Sequence, residues 1–248
     1  MRWPDWLRSV LRPKRDRSCG AGAAAGIADR QAAATPPPEQ PSTDPDAFLA
    51  DVRGVVHVGA ALMLERHHYR RRGLDVLWID ANPTGFPHVL ETLRHVPGQT
   101  AIEALLTDVD GASYDFHIAN NHGSSSSIYD FKRHKEIWPQ VHFEETVRLE
   151  SVTLPTLFER ERIDPRRFQA LVLDTQGSEL LVLRGAEPLL NCFQWVKTEA
   201  ADFEAYAGCC QLRDIADFME RQGYREVSRT RFAGSEGVGH YYDVVYRR

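Results

Sequence analysis

Cysteine and long apolar runs are both scarce in this sequence. Its 248 residues include four cysteines, and the spacing of these fits neither a zinc site nor a disulfide framework. We therefore expect reduced thiols and a cytoplasmic location. No segment approaches the roughly 18 consecutive apolar residues of a membrane-spanning helix. The amino-terminal segment also lacks the apolar core that a secretory signal requires.

An excess of positive charge is also missing. The formal net charge is −5, which argues against binding dominated by phosphate contacts, so we expect no nucleic-acid partner. The charge is unevenly distributed: residues 1–17 hold six basic and two acidic side chains, a net +4, and residues 18–248 carry −9. The content of 42% hydrophobic and 26% charged residues is typical of a globular protein and excludes collagen-like or wholly disordered chains.

Three zones differ in composition. Residues 1–17 form a short basic amphipathic segment, residues 18–46 an Ala- and Pro-rich linker that we expect to be disordered, and residues 47–248 one folded domain. The apolar side chains of the first segment follow helical spacing and are Trp3, Trp6, Leu7, Val10 and Leu11. Three interpretations of this segment stay open: a disordered tail, a reversible peripheral contact with a membrane, or contact with a protein partner.

Short apolar runs alternate with helical patterns through the third zone. Strands are predicted over 55–59, 75–81, 100–106, 114–118, 146–151, 169–175 and 194–200. Helices are predicted over 62–72, 84–95, 154–161, 179–190 and 212–222. A closing hairpin is predicted over 225–232 and 241–247, where Tyr241 and Tyr242 are expected to pack. The alternation predicts an α/β fold with a doubly wound, Rossmann-like, mainly parallel sheet and an antiparallel C-terminal hairpin.

Two residues at predicted strand ends indicate an adenosine-containing cofactor. In open α/β sheets, ligands bind beyond the carboxyl ends of the strands. Gly59 ends the first strand and permits close approach of the backbone, and Asp80, about 20 residues later, can accept hydrogen bonds from both ribose hydroxyls. The segment 59–64 has one glycine where a dinucleotide site usually has three, which favours S-adenosylmethionine (SAM) over NAD. A tight turn at Gly59 and a surface acid at Asp80 are the structural alternative.

Four segments resemble the FkbM-type family of SAM-dependent methyltransferases. They are Val56–Ala60, Trp78–Pro83, Asp174–Ala186 and Thr198–Ala200, and the third, which reads D-x-Q-G-x-E-L-x-V-L-x-G-A, is the most specific. The resemblance spans about residues 54–246. It implies a class I methyltransferase fold, SAM as methyl donor and O-methylation of a hydroxyl on a sugar, glycan or natural product. Two positions depart from the family pattern: His57 stands where its first motif has Asp, and Met63 where it has Gly.

The strand-end positions and the resemblance together define the candidate site residues. The expected cofactor-binding residues are His57, Gly59, Ala60, Asp80, Ala81, Thr107, Asp108 and Asp174. Gly59 would pass the methionine part of SAM and Asp80 would hold the ribose. Leu106, Thr107 and Asp108 follow the third strand, where residues of this fold flank the adenine. The expected catalytic residues are Asp174, as first choice for the general base, and Glu199. The expected substrate-binding residues are Ser126 and Gln176.

Two alternatives to a methyltransferase remain at this stage. A non-catalytic SAM-fold protein, binding a partner through its acidic body or basic tail, is favoured by the residues at 57 and 63 and opposed by the retained acids Asp80, Asp174 and Glu199. A nucleotide-dependent oxidoreductase is disfavoured by the missing glycines. No pair among the ten histidines has metal-ligand spacing, so no metal site is expected.

Overall fold

The computed structural model describes residues 46–248. In chain order the strands are β1 (Gly54–Val58), β2 (Asp75–Asp80), β3 (Gln99–Glu103), β4 (Leu105–Leu106), β5 (Ser113–Ala119), β6 (Phe143–Val152), β7 (Ala170–Leu173), β8 (Trp195–Ala201), β9 (Arg225–Ser235) and β10 (Gly239–Arg247). The helices are α1 (Arg66–Arg71), α2 (Phe86–Leu93), α3 (His134–Ile137), α4 (Leu154–Arg160), α5 (Glu179–Gly185) and α6 (Leu212–Arg221). Short 3-10 helices cover Ala47–Asp51, Pro165–Arg167 and Glu187–Cys192.

A seven-stranded sheet forms the centre of the fold, in the order β3-β2-β1-β7-β8-β10-β9. The first five strands of that order are parallel to one another, and β10 runs antiparallel to both β8 and β9. The predicted α/β fold with a mainly parallel sheet and an antiparallel C-terminal hairpin is therefore confirmed. Strand order reverses between β1 and β7, so their carboxyl ends form the crevice in which such folds bind ligands.

Side chains alternate between two cores, one on each face of the sheet. In β7, Leu171 and Leu173 face the core formed with α4, α5 and α6, whereas Ala170 and Val172 face the core formed with α1 and α2. This alternation follows from the period-two geometry of a strand. Because both faces are covered, the central strands β1, β2 and β7 are mostly apolar, and Asp80 and Asp174 at the carboxyl ends of β2 and β7 lie at the edge of the sheet.

The third predicted strand, 100–106, is divided in the structure. Gln99–Glu103 pairs with β2, but Leu105 and Leu106 leave the main sheet and pair in parallel with Ser151 and Val152 of β6. The strands β4, β6 and β5 form a separate three-stranded sheet. The apolar run alone does not reveal this division, because the pairing partner of Leu105–Leu106 lies more than forty residues later in the chain.

Two predicted helices are shorter in the structure, for local reasons. The first begins at Arg66 rather than 62, because Ala61 and Met63 have positive φ angles of 36° and 47°, which no helix accommodates. The helix predicted over 179–190 ends at Gly185 and is followed by the 3-10 turn Glu187–Cys192, whose first positions include a proline.

The expectations for residues 1–17 and most of the predicted linker lie outside the described residues. Asp46 is described, and its carboxylate accepts a hydrogen bond from Lys197 of β8 at 3.0 Å. Within residues 46–248, no helix combines the length and the apolar character needed to span a bilayer.

Candidate functional site

A cleft of about 600 Å³ lies at the carboxyl edge of β1, β2 and β7 and is closed on one side by the polar segment 123–128. Of the predicted site residues, six line the cleft: Gly59, Asp80, Ala81, Ser126, Asp174 and Gln176. The sheet topology therefore brings together side chains that lie more than one hundred residues apart in the chain.

Gly59 follows β1 and contacts the carboxyl ends of β2 and β7. Its backbone N–H donates to the carbonyl of Ile79 at 2.8 Å, and its φ of 92° is one that side chains rarely adopt. A Cβ at this position would collide with the carbonyl oxygen of Asp174. Glycine is therefore required here for close packing of β1 against β7, and the absent side chain leaves backbone exposed to the cleft.

The carboxylate of Asp80 is held in place by backbone donors. Oδ2 accepts the N–H of Ala61 at 2.8 Å and Oδ1 accepts the N–H of Asn82 at 2.7 Å. Burial raises the pKa of Asp80, and these N–H bonds oppose the rise. A carboxylate has about four lone-pair positions, so each oxygen can still accept one hydroxyl. The arrangement is that of a preformed acceptor for a vicinal diol.

The far end of the cleft is apolar and is lined by Leu105, Leu106, Phe116 and Ile128. These side chains form the surface against which a flat heterocycle would pack. Sequence reasoning overlooked Phe116 and Ile128 because they belong to the smaller sheet and the polar segment, which were interpreted without reference to the cofactor. Leu106 was expected to flank the adenine, whereas Leu105 was interpreted only as part of the strand predicted over 100–106.

Thr107 and Asp108 do not line this cleft. Thr107 is fully buried, and its hydroxyl donates to the carbonyl of Val109 at 3.1 Å. Asp108 is exposed. The chain turns away after β4, where the backbone of Gly185 in α5 packs against the Thr107 carbonyl so closely that a Cβ would not fit. Of the three positions expected to flank the adenine, Leu106 lines the cleft, and Thr107 and Asp108 do not.

His57 and Ala60 are also absent from the cleft lining, because both pack into the core beneath α1. The His57 ring stacks on Trp78 with centroids 4.5 Å apart, and Nδ1 lies 3.0 Å from the Tyr69 hydroxyl. Burial and the nearby charge of Lys197 lower the pKa of His57 to about 3, so the ring is neutral at physiological pH. His57 therefore acts in packing between β1 and α1.

Met63 retains the backbone conformation of the glycine that it replaces in the resembling motif. Its φ is 47°, in the left-handed region, and its side chain is 1% exposed and packs in the same core as His57. Burial of a methionine side chain stabilises by about 1.5–3 kcal/mol, which offsets the roughly 1–2 kcal/mol that the left-handed conformation costs. Neither departure from the motif places bulk in the cleft.

The carboxyl groups of Asp174 and Glu199 lie on either side of the Gln176 amide. Asp174 lines the cleft, whereas Glu199, the second predicted catalytic residue, does not. The Gln176 amide donates from Nε2 to Asp174 Oδ1 at 2.6 Å and lies 3.4 Å from Glu199 Oε1. Burial, with the charge of Glu179 adding to it, raises the pKa of Asp174 to about 7. Burial and the charge of Asp174 raise the pKa of Glu199 well above its usual range. Near neutral pH, ionisation of one group therefore opposes ionisation of the other.

Gln176 is fixed by three neighbouring elements. Its backbone has a φ of 54°, and its carbonyl accepts the Ser127 hydroxyl at 2.8 Å. Its side-chain Oε1 accepts the Tyr206 hydroxyl at 2.7 Å. Ser126 supports the same region by accepting the N–H of Ala119 at 3.1 Å. The two residues predicted to bind substrate thus belong to one hydrogen-bonded framework around the carboxyl pair.

Glu179 is a structural acid at the start of α5. Its buried carboxylate accepts the N–H groups of Thr175 at 2.8 Å and Gly177 at 3.0 Å, and burial raises its pKa. The helix predicted to start at 179 begins at Glu179 in the structure. In the described part of the chain, no group of three or more His, Cys, Asp or Glu side chains is placed to hold a metal ion.

The fold and the cleft are those of a Rossmann-like protein of the methyltransferase class. The cleft has a preformed acceptor for a diol and an apolar wall that suits the adenine ring. Residues 54–226 match the model of the methyltransferase FkbM domain, and the chain belongs to this family. Its membership of this family makes the chain a SAM-dependent methyltransferase. A comparison with curated protein sequences gave no significant match.

Solved structures similar to this chain include three methyltransferases. The 1,6-didemethyltoxoflavin-N1-methyltransferase of Burkholderia thailandensis has 10% identity and a TM-score of 0.46, covering 82% of this chain and 74% of that one. The magnesium protoporphyrin IX methyltransferase of Synechocystis has 10% identity and a TM-score of 0.46, covering 82% and 76%. The precorrin-6y C5,15-methyltransferase of Geobacter metallireducens has 9% identity and a TM-score of 0.44, covering 79% and 82%. Similarity at this level says nothing about the acceptor.

The cleft residues fit SAM. Gly59, Asp80, Leu105 and Phe116 line the same cleft, so it offers exposed backbone, a two-oxygen acceptor and an apolar wall. SAM carries no phosphate, so the single glycine of the first loop suffices. When bound, SAM supplies an activated methyl group.

Proposed function

We propose that this protein is a SAM-dependent O-methyltransferase that acts on a hydroxyl group of a sugar, glycan or natural product. The observation that carries the proposal is the carboxyl of Asp174, which lies at the inner end of the cleft with a pKa raised to about 7. A general base is most effective when its pKa lies near the working pH. A hydroxyl needs such a base because its oxygen becomes a good nucleophile only as its proton leaves.

The chain's own residues have distinct roles in this proposal. Gly59, Asp80 and Ala81 hold the cofactor, and Asp174 accepts the proton of the acceptor hydroxyl. Gln176 positions Asp174 by donating to Oδ1, which leaves Oδ2 free for the acceptor. Glu199 is the second choice for the base, because it lies on the other side of Gln176. Sugar, glycan and natural-product acceptors follow from the family resemblance.

The structure removes the main support for a non-catalytic SAM-fold protein. That alternative depended on His57 and Met63, and both side chains pack in the core rather than in the cleft. The alternative of a nucleotide-dependent oxidoreductase finds no support in the family assignment.

Transfer of a radioactive methyl group from labelled SAM to hydroxylated acceptors tests the proposal. We expect the rate to rise with pH through about 7, as Asp174 loses its proton. Asp174→Asn should lower kcat by about 100-fold or more, the contribution of a general base, and leave SAM affinity within a few fold. Asp108→Asn is the matched control, since Asp108 is exposed and outside the cleft. An unchanged kcat in Asp174→Asn would contradict its role as the base.

A further inference from the structure

A third carboxyl group stands beside Asp174 and Glu199. Asp243 of β10 lies directly opposite Glu199 of β8 in the antiparallel pairing of the two strands. Directly opposed side chains of neighbouring strands have Cβ atoms about 4.5–5.5 Å apart. Glu199 in turn shares the Gln176 amide with Asp174. Three carboxyl groups therefore stand side by side from the end of β7 through β8 to β10.

The new member of this row points to the face of the sheet that α1 covers. Val245 of β10 belongs to the core on that face. Because successive side chains of a strand alternate, Asp243, two residues earlier, points the same way, and so does Glu199 opposite it. The pairing partner of Val245 is Lys197, which therefore lies on this face as well.

Lys197 stabilises a negative charge on Asp243. Its ammonium lies 3.7 Å from Asp243 Oδ2 and 3.0 Å from Asp46 Oδ1. The side chain of Lys197 is 13% exposed, so water screens these ion pairs only in part. Burial raises the pKa of Asp243, and the charge of Lys197 opposes this rise. Asp243 is therefore an anion held in place beside Glu199.

Asp174 and Glu199 have no comparable cation. Within residues 46–248, neither carboxyl group forms an ion pair with a Lys, Arg or His side chain. Burial is the largest cause of the raised pKa of both groups, and the charge of Asp243 adds to it in each case. A like charge beside a carboxyl group opposes its ionisation. The anion at Asp243 thus acts on a pair that no positive charge neutralises.

Other titratable groups face this row from each element packed against it. Glu65, which precedes α1, raises the pKa of Asp174, and Glu179 of α5 raises the pKa of Asp174 and of Glu199. Beyond these acids, the groups on the α1 side are Asp46, His57, His68 and Tyr69. The groups beside Glu199 on the other side, whose pKa values burial raises, are Tyr206, Cys209, Cys210 and Tyr241.

Asp243 can be changed without disturbing the cofactor cleft. It does not line the cleft, and Lys197 keeps Asp46 as a partner when Asp243 is neutral. Glu179, by contrast, binds the backbone of the 175–177 turn, so its removal would move Gln176. Sequence reasoning did not single out Asp243, because Glu199 lies more than forty residues earlier in the chain.

We propose that Asp243 is a positioning residue for methyl transfer: its carboxylate, held by Lys197 opposite Glu199, keeps one proton on the Asp174–Glu199 pair up to neutral pH. Asp243 acts through Glu199 and touches neither the cofactor nor the acceptor. The effect keeps the base in the range where a general base is most effective. This inference rests on the proposed function and adds a residue outside the cleft that adjusts the ionisation of the base.

Carbon-13 NMR of side-chain carboxyl groups tests the inference without requiring turnover. The full chain is labelled at aspartate Cγ and glutamate Cδ, and Asp174→Asn and Glu199→Gln assign the two signals. In Asp243→Asn, we expect the first ionisation of the pair to move to lower pH by about one unit, the effect of removing a nearby like charge. The pH midpoint of methyl transfer should move by the same amount. Asp243→Glu keeps the charge and should keep the wild-type midpoint.

Asp75→Asn is the matched control. Asp75 begins β2, at the opposite edge of the sheet, and pairs with Arg167 at 3.4 Å. This variant therefore also removes a carboxylate from an ion pair, and a wild-type midpoint supports the inference. An unchanged or higher midpoint in Asp243→Asn, the same shift in Asp75→Asn, or an equal shift in Asp243→Glu would each overturn it. Asp243→Ser is a second neutral variant, which should shift the midpoint in the same direction as Asp243→Asn.

The kcat of Asp174→Asn separates this inference from the proposed function. A wild-type kcat in Asp174→Asn, together with the expected NMR shift in Asp243→Asn, would contradict the role of Asp174 as the base and confirm the charge effect of Asp243. A large loss of kcat in Asp174→Asn without an NMR shift in Asp243→Asn would contradict only the inference.

Discussion

At the scale of single residues, Asp80 is oriented before any ligand arrives. Its two oxygens accept backbone N–H groups on either side of the strand end, so binding a ribose requires little rearrangement of the side chain. Asp108 was predicted to be a second cofactor acid, yet it is exposed and outside the cleft. The two carboxylates therefore make a matched pair for mutation.

Asp80→Ala should weaken SAM binding at least tenfold. Hydrogen bonds to a charged group contribute about 1.5–3 kcal/mol, and 1.4 kcal/mol corresponds to a factor of ten in affinity. Isothermal titration calorimetry measures the change, and Asp108→Ala should bind SAM as the wild type does. Equal affinities in Asp80→Ala and wild type would remove Asp80 from the ribose site.

Asp174 should lower the stability of the fold above neutral pH. Its pKa in the folded chain is about 7, whereas in an unfolded chain it is about 3.9. The folded state therefore holds the proton longer, and stability falls as pH rises from about 4 to about 7. Asp174→Asn should accordingly raise Tm at about pH 8 and have little effect at about pH 4. A gain in Tm confined to acid pH would contradict the raised pKa.

At the scale of elements, the sequence predicts where the strands end. It does not predict which strands pair with each other. The runs before Asp80 and Asp174 are continuously apolar because their strands are buried on both faces, and each ends at a carboxyl residue. The strands before Gly59 and Glu199 are also largely buried but contain His57 and Lys197. Leu105–Leu106 has the same apolar character, but its pairing with β6 depends on tertiary contacts. Of the positions expected to flank the adenine, Leu106 therefore lines the cleft, whereas Thr107 and Asp108 lie outside it.

Side-chain direction was the other feature that sequence did not reveal. His57 and Met63 lie in the segment that resembles a cofactor motif, and from sequence alone both were assigned to the cofactor's surroundings. In the structure α1 covers them, and aromatic packing with Tyr69 and Trp78 determines where they point. Core packing rather than cofactor contact explains these two departures from the family pattern.

Gly59→Ala should destabilise the fold more than Gly73→Ala. Both glycines have positive φ, 92° and 65°, so both substitutions impose backbone strain of about 1–2 kcal/mol. A Cβ at Gly73 meets open space, whereas one at Gly59 meets the backbone of Asp174. Thermal unfolding should show a clearly larger loss of Tm for Gly59→Ala, together with weaker SAM binding. Equal losses would show that the close approach of β1 and β7 is unimportant.

At the scale of the whole molecule, the net charge of −5 combines two regions of opposite sign. Residues 1–17 carry +4 and the remainder carries −9. The described fold belongs to the acidic remainder, so we expect an acceptor other than nucleic acid. The basic segment lies outside the described residues, and its role remains a proposal from sequence.

We expect residues 1–45 to be needed for contact with an anionic membrane and not for SAM binding. The +4 segment with its apolar stripe is of the kind that lies at a membrane surface. In a flotation assay with anionic liposomes at low salt, the full chain should float and a chain of residues 46–248 should not. Higher salt should reduce flotation by screening. Identical flotation of the two chains would exclude this membrane contact.

A calorimetric titration of SAM into the full chain, with NAD as the comparison ligand, tests the central claim most directly. The account predicts saturable binding of one SAM per chain and no binding of NAD, because the loop at Gly59 lacks the glycines that a pyrophosphate requires. Measurement at two temperatures ensures that a binding enthalpy near zero is not mistaken for absence of binding. Saturable binding of NAD, or no binding of SAM at either temperature, would contradict the account.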